Sequence, residues 1–182
     1  MIDNQQPFTT ILWDLDGTII DSRAGIFNSF NHTFAAMGLP LMRREDLNPY
    51  IGPPLLDTFL QICGGDLAEA ERAKAIYRES YIQGGGALDA DVFEGILDVI
   101  AASKAQGKFN SLATSKGLSG VKIVGEHFDF LHFFDVLGTA TNDGSRSTKA
   151  DVITYALAEL ELLDADLTRV VLVGDRIHDV EG

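Results

Sequence analysis

The chain has a single cysteine, Cys63, so no disulfide can close within it, and a reducing compartment suits it. That lone thiol reads as a small hydrophobe packed on a helix. Basic side chains are also scarce, 14 against 27 acidic ones, for a net charge of −13. Such an excess argues against nucleic acid and an anionic membrane surface as partners. A small anionic substrate stays compatible, because one cation and one lysine can reverse the local field. No apolar run reaches 18 residues, and the first seven residues are polar and lack a signal core, so a cytoplasmic protein is expected. Repeats and low-complexity tracts are missing too.

What is present is an ample core: 46% hydrophobic residues, with 11 Phe among 182 positions. That is the size of one globular domain, or of one domain carrying an insertion. A short apolar run over residues 9–12 ends abruptly in Trp13-Asp14-Leu15-Asp16-Gly17-Thr18, the pattern of a buried strand opening into a tight turn. Two carboxylates two residues apart cannot both be buried unpaired. At a strand end they can share a cation instead.

Residues 22–86 read as consecutive helices. Ile26, Phe30, Phe34 and Met37 recur at helical spacing before Gly38 and Pro40. Ile51-Gly52-Pro53-Pro54 feeds a second helix carrying Leu55, Phe59 and Ile62 on one face. Asp66 with Glu69 makes a capping-box-like start for a third, running to about Gln83. Beyond the glycines at 84–86, strands and helices alternate. Asp91 with Glu94 is expected to start a helix through Val92 and Val99. A strand over 109–113 ends in Thr114-Ser115-Lys116, and Ser119 is expected to cap the next helix. A strand at 135–138, a helix capped by Thr148, and the strand Val170–Val173 follow, the last opening into Gly174-Asp175-Arg176-Ile177-His178-Asp179. Alternation of this kind argues for a parallel α/β sheet with right-handed crossovers.

Three strand ends therefore carry polar residues: Asp14/Asp16, Thr114/Ser115 and Asp175/Asp179. Lys149, at a helix N-terminus, is electrostatically misplaced against the helix dipole. A bound phosphate would account for it; so would simple solvation.

Together the four stretches, in this order, resemble the haloacid dehalogenase (HAD) superfamily over essentially the whole chain. The resemblance implies a Rossmann-like parallel sheet core, residues 1–21 and 87–182, with an inserted α-helical cap of the C1 type, residues 22–86. It implies a Mg²⁺-dependent phosphatase acting on a small phosphorylated metabolite, similar to the phosphoglycolate phosphatase branch. Asp14 would be the nucleophile and Asp16 the acid/base. Thr114 would hold a phosphoryl oxygen and Lys149 would balance charge. Asp14, the backbone carbonyl of Asp16, Asp175 and Asp179 would serve the metal. Ser115 and the cap loop at Gly52 and Pro53 would contribute to substrate binding. Arg43 and Arg44 could reach a substrate carboxylate or simply be solvated, and His178 is expected to be peripheral. Asp16 argues against dehalogenase members. A sugar phosphomutase of the same cap class is an alternative, as is a catalytically inactive binding module. The family continues past the point where this chain stops, so the resemblance implies a C-terminally truncated core. Val170–Val173 would then form a sheet edge open to pairing in a homo-oligomer.

Overall fold

The computed structural model describes residues 8–50, 53–162, 167–177 and 179. In chain order the main elements are β1 (Thr10–Trp13), β2 (Ile20–Asp21), α1 (Arg23–Met37), α2 (Arg44–Leu47), α3 (Leu55–Ile62), α4 (Leu67–Arg78), β3 (Asp91–Val92) and α5 (Ile96–Ala105). After them come β4 (Phe109–Gly117), α6 (Leu118–His127), β5 (Val136–Ala140), α7 (Lys149–Glu159) and β6 (Val170–Val173). The chain divides into two compact units, residues 1–20 with 92–182, and residues 21–91. β2 and β3 form a separate two-stranded sheet.

The first unit is built on a parallel four-stranded sheet in the order β5-β4-β1-β6. Trp13 lies opposite Leu112 on one side and Val173 on the other. This common register brings three strand ends to one edge. β1 sits where the strand order reverses, with β4 on one side and β6 on the other, and in such sheets ligands bind outside the carboxyl ends at that point. Leu12 and Ala113 pack on Ala156 and Leu157 of α7. Alternation sends Trp13 to the opposite face, where its indole N–H donates to Asn110 Oδ1 at 2.9 Å and Ser103 of α5 donates to the same oxygen at 2.8 Å. Helices thus cover both faces. Among the described residues β6 is an edge strand.

The second unit is helical. Phe30 of α1 lies 4.9 Å from Tyr77 of α4 and 5.4 Å from Phe59 of α3, ring centre to ring centre. Tyr77 stacks on Tyr81 at 5.6 Å, within a π-helical turn, Glu79–Gln83, that extends α4. α1 ends at Gly38 in the left-handed conformation, as Gly38 and Pro40 imply. Asp66 caps α4, accepting from the N–H groups of Ala68 and Glu69. Gly86 packs against α1: a side chain on Gly25 would strike the Gly86 carbonyl, so α1 and the Gly86–Leu88 turn meet backbone to backbone.

Three local expectations are corrected. Asp91 and Val92 form a strand, and α5 starts later, from Gly95 in a left-handed conformation. The Asp-x-x-Glu spacing mimics a capping box, but pairing with β2 supplies the backbone partners instead. α6 is entered from Gly117, which leaves Ser119 inside the helix without a capping bond. Cys63 is the C-cap residue of α3 and half-buried, not a helix-core residue.

Candidate active site

Asp14 is the first residue past β1. Its N–H donates to the Val173 carbonyl at 2.9 Å, which ties it to the end of β6. The turn that follows is closed by the Gly17 N–H donating to Ile20 O at 2.8 Å, with Gly17 at φ +91°. Glycine is required there for a second reason, since a Cβ would run into the Asp175 carboxylate.

Lys149 is the first residue of α7. Thr148 caps the helix by accepting from Asp151 N–H, and Asp151 in turn accepts from Thr148 N–H, a reciprocal capping box. The entering loop is braced by Asp143 and Ser145, and Arg146 lies over the Tyr155 ring at 3.7 Å. The lysine is therefore held firmly and its side chain runs inward, only 7% exposed. Its Nζ lies 2.9 Å from Asp14 Oδ1 and 2.6 Å from Asp179 Oδ1, and it donates to the Ala113 carbonyl at 2.7 Å. Burial pushes the Asp14 carboxyl above the usual carboxylate range, and the adjacent ammonium opposes that push.

Asp175 and Asp179 come from the segment after β6. Asp179 Oδ2 accepts from Arg176 N–H at 2.9 Å, closing that turn on itself. Carboxylate oxygens of Asp14, Asp175 and Asp179 lie within 4.8 Å of one another. Lys149 already stands between Asp14 and Asp179, and the all-oxygen set that these two form with Asp175 is of the kind that fits Mg²⁺. Thr114, near the end of β4, is buried, and its Oγ1 accepts from Lys116 N–H at 3.2 Å.

Asp14, Asp16, Thr114, Ser115, Lys149, Asp175 and Asp179 thus all belong to the sheet unit, at strand ends or the start of α7. Pro53 belongs to the helical unit, just before α3. Gly52 and His178 lie outside the described residues. Arg43 is engaged by Asp46 at 2.9 Å and Glu45 at 3.3 Å, and Arg44 lies over the Phe27 ring at 5.5 Å. One residue escaped the sequence reading of roles. Lys116 Nζ lies 2.9 Å from Asp16 Oδ1 with its side chain 7% exposed. The Thr-x-Lys spacing was visible, but not the partner.

The sequence profile of the haloacid dehalogenase-like hydrolases matches residues 11–182. The chain is 37% identical to the tyrosine-protein kinase PtkA of Mycobacterium tuberculosis over 172 residues, 94% of this chain, and it spans only 57% of that relative's length. It is 35% identical to a 5'-nucleotidase of Pseudomonas aeruginosa over all 182 residues, 80% of that protein. A solved structure described as a predicted phosphatase from Clostridium acetobutylicum superposes with a TM-score of 0.87 at 32% identity, covering 96% of this chain and 79% of the other. The chain belongs to the haloacid dehalogenase-like hydrolase family.

Proposed function

We propose that this chain is a phosphatase that hydrolyses a small phosphate monoester through a phosphoryl group carried on Asp14. The observation that carries the reading is the position of Lys149 between Asp14 and Asp179, with Asp175 in the same carboxylate cluster. An oxygen of Asp14 attacks phosphorus, forming the aspartyl-phosphate as the bond to the leaving oxygen breaks. Asp16 gives that oxygen its proton. It then takes one from water as the water attacks phosphorus, which releases phosphate and restores Asp14. Lys149 offsets the charge of the nucleophile and the phosphoryl oxygens, and Thr114 and Ser115 supply hydroxyls at the same strand end.

Asp14, Asp175 and Asp179 would hold Mg²⁺ together with the Asp16 carbonyl. When bound, the ion lets an anionic nucleophile and an anionic substrate approach. The helical unit acts as a cap in this reading and contributes to specificity through Pro53 and its neighbours. The 5'-nucleotidase and phosphatase names among the relatives support the phosphomonoester class.

A second reading, transfer of the phosphoryl group to a protein tyrosine, is favoured by the name of the PtkA relative. The two share the first step and differ in the acceptor. The test is phosphate release from 4-nitrophenyl phosphate with Mg²⁺ and with chelator, beside Asp14→Asn. Metal-dependent release that is lost in the variant supports the phosphatase. Label passed from a nucleotide to tyrosine without phosphate release favours the second reading, isomerised sugar phosphate without net release favours a mutase, and binding without turnover an inactive module.

A further inference from the structure

Lys116 is a buried cation outside the set that handles the phosphoryl group, and its surroundings give it a different task. The pairing of β4 with β5 is regular up to Thr114 opposite Thr139, then shifts before Gly117 opposite Ala140. Irregularities of this kind re-aim side chains. Here the shift coincides with two contacts: the Lys116 N–H on Thr114 Oγ1 and the Lys116 Nζ 2.9 Å from Asp16 Oδ1. On the other side, the backbone of Asp16 is fixed by its bridge to Ile20 and by the adjoining Gly17–Ile20 hydrogen bond. The terminal torsion of a carboxylate is broad and roughly two-fold. An ammonium at 2.9 Å, its side chain only 7% exposed, narrows it for the partly exposed Asp16.

We infer that Lys116 is a positioning residue for the acid/base carboxylate, holding the Asp16 side chain in the orientation it needs to pass its proton to the leaving oxygen. The inference rests on the phosphatase reading above. Lys149 already serves the nucleophile, and the second lysine gives the second carboxylate its own anchor. The two Lys–Asp pairs divide the work: one fixes where the bond to phosphorus forms, the other where the proton goes.

The test uses leaving groups that differ in their need for a proton. 4-Nitrophenolate departs without one, whereas the alkoxide of β-glycerol phosphate does not. The ratio kcat/KM reports events through departure of the leaving group, so the later hydrolysis step does not mask the difference. General acid catalysis contributes about 10²–10⁴-fold. Lys116→Met should therefore lower kcat/KM on β-glycerol phosphate by roughly tenfold or more beyond its effect on 4-nitrophenyl phosphate, with Lys116→Arg recovering part of the difference. Urea unfolding of each variant confirms that folded protein is compared. Should the methionine variant not fold, Lys116→Gln carries the same comparison. Equal losses on both substrates, or no loss, overturn the positioning role while the phosphatase stands. A wild-type chain that releases phosphate from neither substrate overturns the phosphatase reading and this one with it.

Discussion

Gly17 and Asp175, 158 positions apart in the sequence, leave no room for a methyl group between them. A Cβ built on Gly17 would overlap the Asp175 carboxylate, and the glycine already sits at φ +91°. The turn after β1 and the turn after β6 therefore fit together only because one of them carries no side chain. Gly17→Ala should cost about 1–2 kcal/mol from the backbone conformation alone. It should also push Asp175 away from Asp14 and Asp179. The expected result is a lowered urea midpoint together with a Mg²⁺ titration of phosphate release moved to higher concentration. A stability loss with an unmoved metal titration would show that the contact matters for folding only.

Asp175 is the most exposed of the three clustered carboxylates, so its removal should disturb the fold least. Asp175→Ala should weaken Mg²⁺ binding, read directly by calorimetry, and lower the rate with it. An unchanged binding isotherm would refute its place among the ligands.

Lys149 is a different case because it is buried between two carboxylates. Taking one partner from a buried charge group costs about 3–5 kcal/mol, and here the loss leaves Asp14 and Asp179 facing each other. Lys149→Met should therefore destabilise the chain by about that much in chelator and abolish turnover. Added Mg²⁺ should restore part of the stability, since a cation again separates the two anions. Destabilisation that Mg²⁺ leaves untouched would count against these carboxylates sharing one cation site.

How much of this was legible in the sequence follows from the range of the forces involved. The strand before Asp14, the Thr148 cap and the strand before Asp175 are set by local patterns, and all three were readable. The parallel sheet followed from alternation, and its register then brought the carboxylates together without further information. Asp91 and Val92 were not readable as a strand, because an Asp-x-x-Glu pattern is locally helical and only their distant partners at Ile20 and Asp21 make them extended. The Lys116–Asp16 pair was invisible for the same reason. A lysine two places after Thr114 would face as Thr114 does in a regular strand, and the register shift against β5 cannot be seen in one sequence.

The acid limb of stability offers a last test, centred on the loop that delivers Lys149. Hydrogen bonds from Thr141 and Ser145 pull the Asp143 carboxyl down to about 2, and Thr148 and Ser147 lower that of Asp151. A carboxyl lower in the folded than in the unfolded chain contributes stability above the unfolded value of 3.8, and this is lost as pH falls toward the folded value. Asp14 has the opposite sign, because its raised carboxyl favours the folded state at lower pH. Comparing wild type with Asp143→Asn cancels that contribution. The urea midpoint of wild type should therefore fall from about pH 4 to about pH 2 more steeply than that of Asp143→Asn, while the variant is the less stable of the two at neutral pH. Parallel slopes would mean that the Asp143 bonds are not held in solution, and that the capping box alone positions the start of α7.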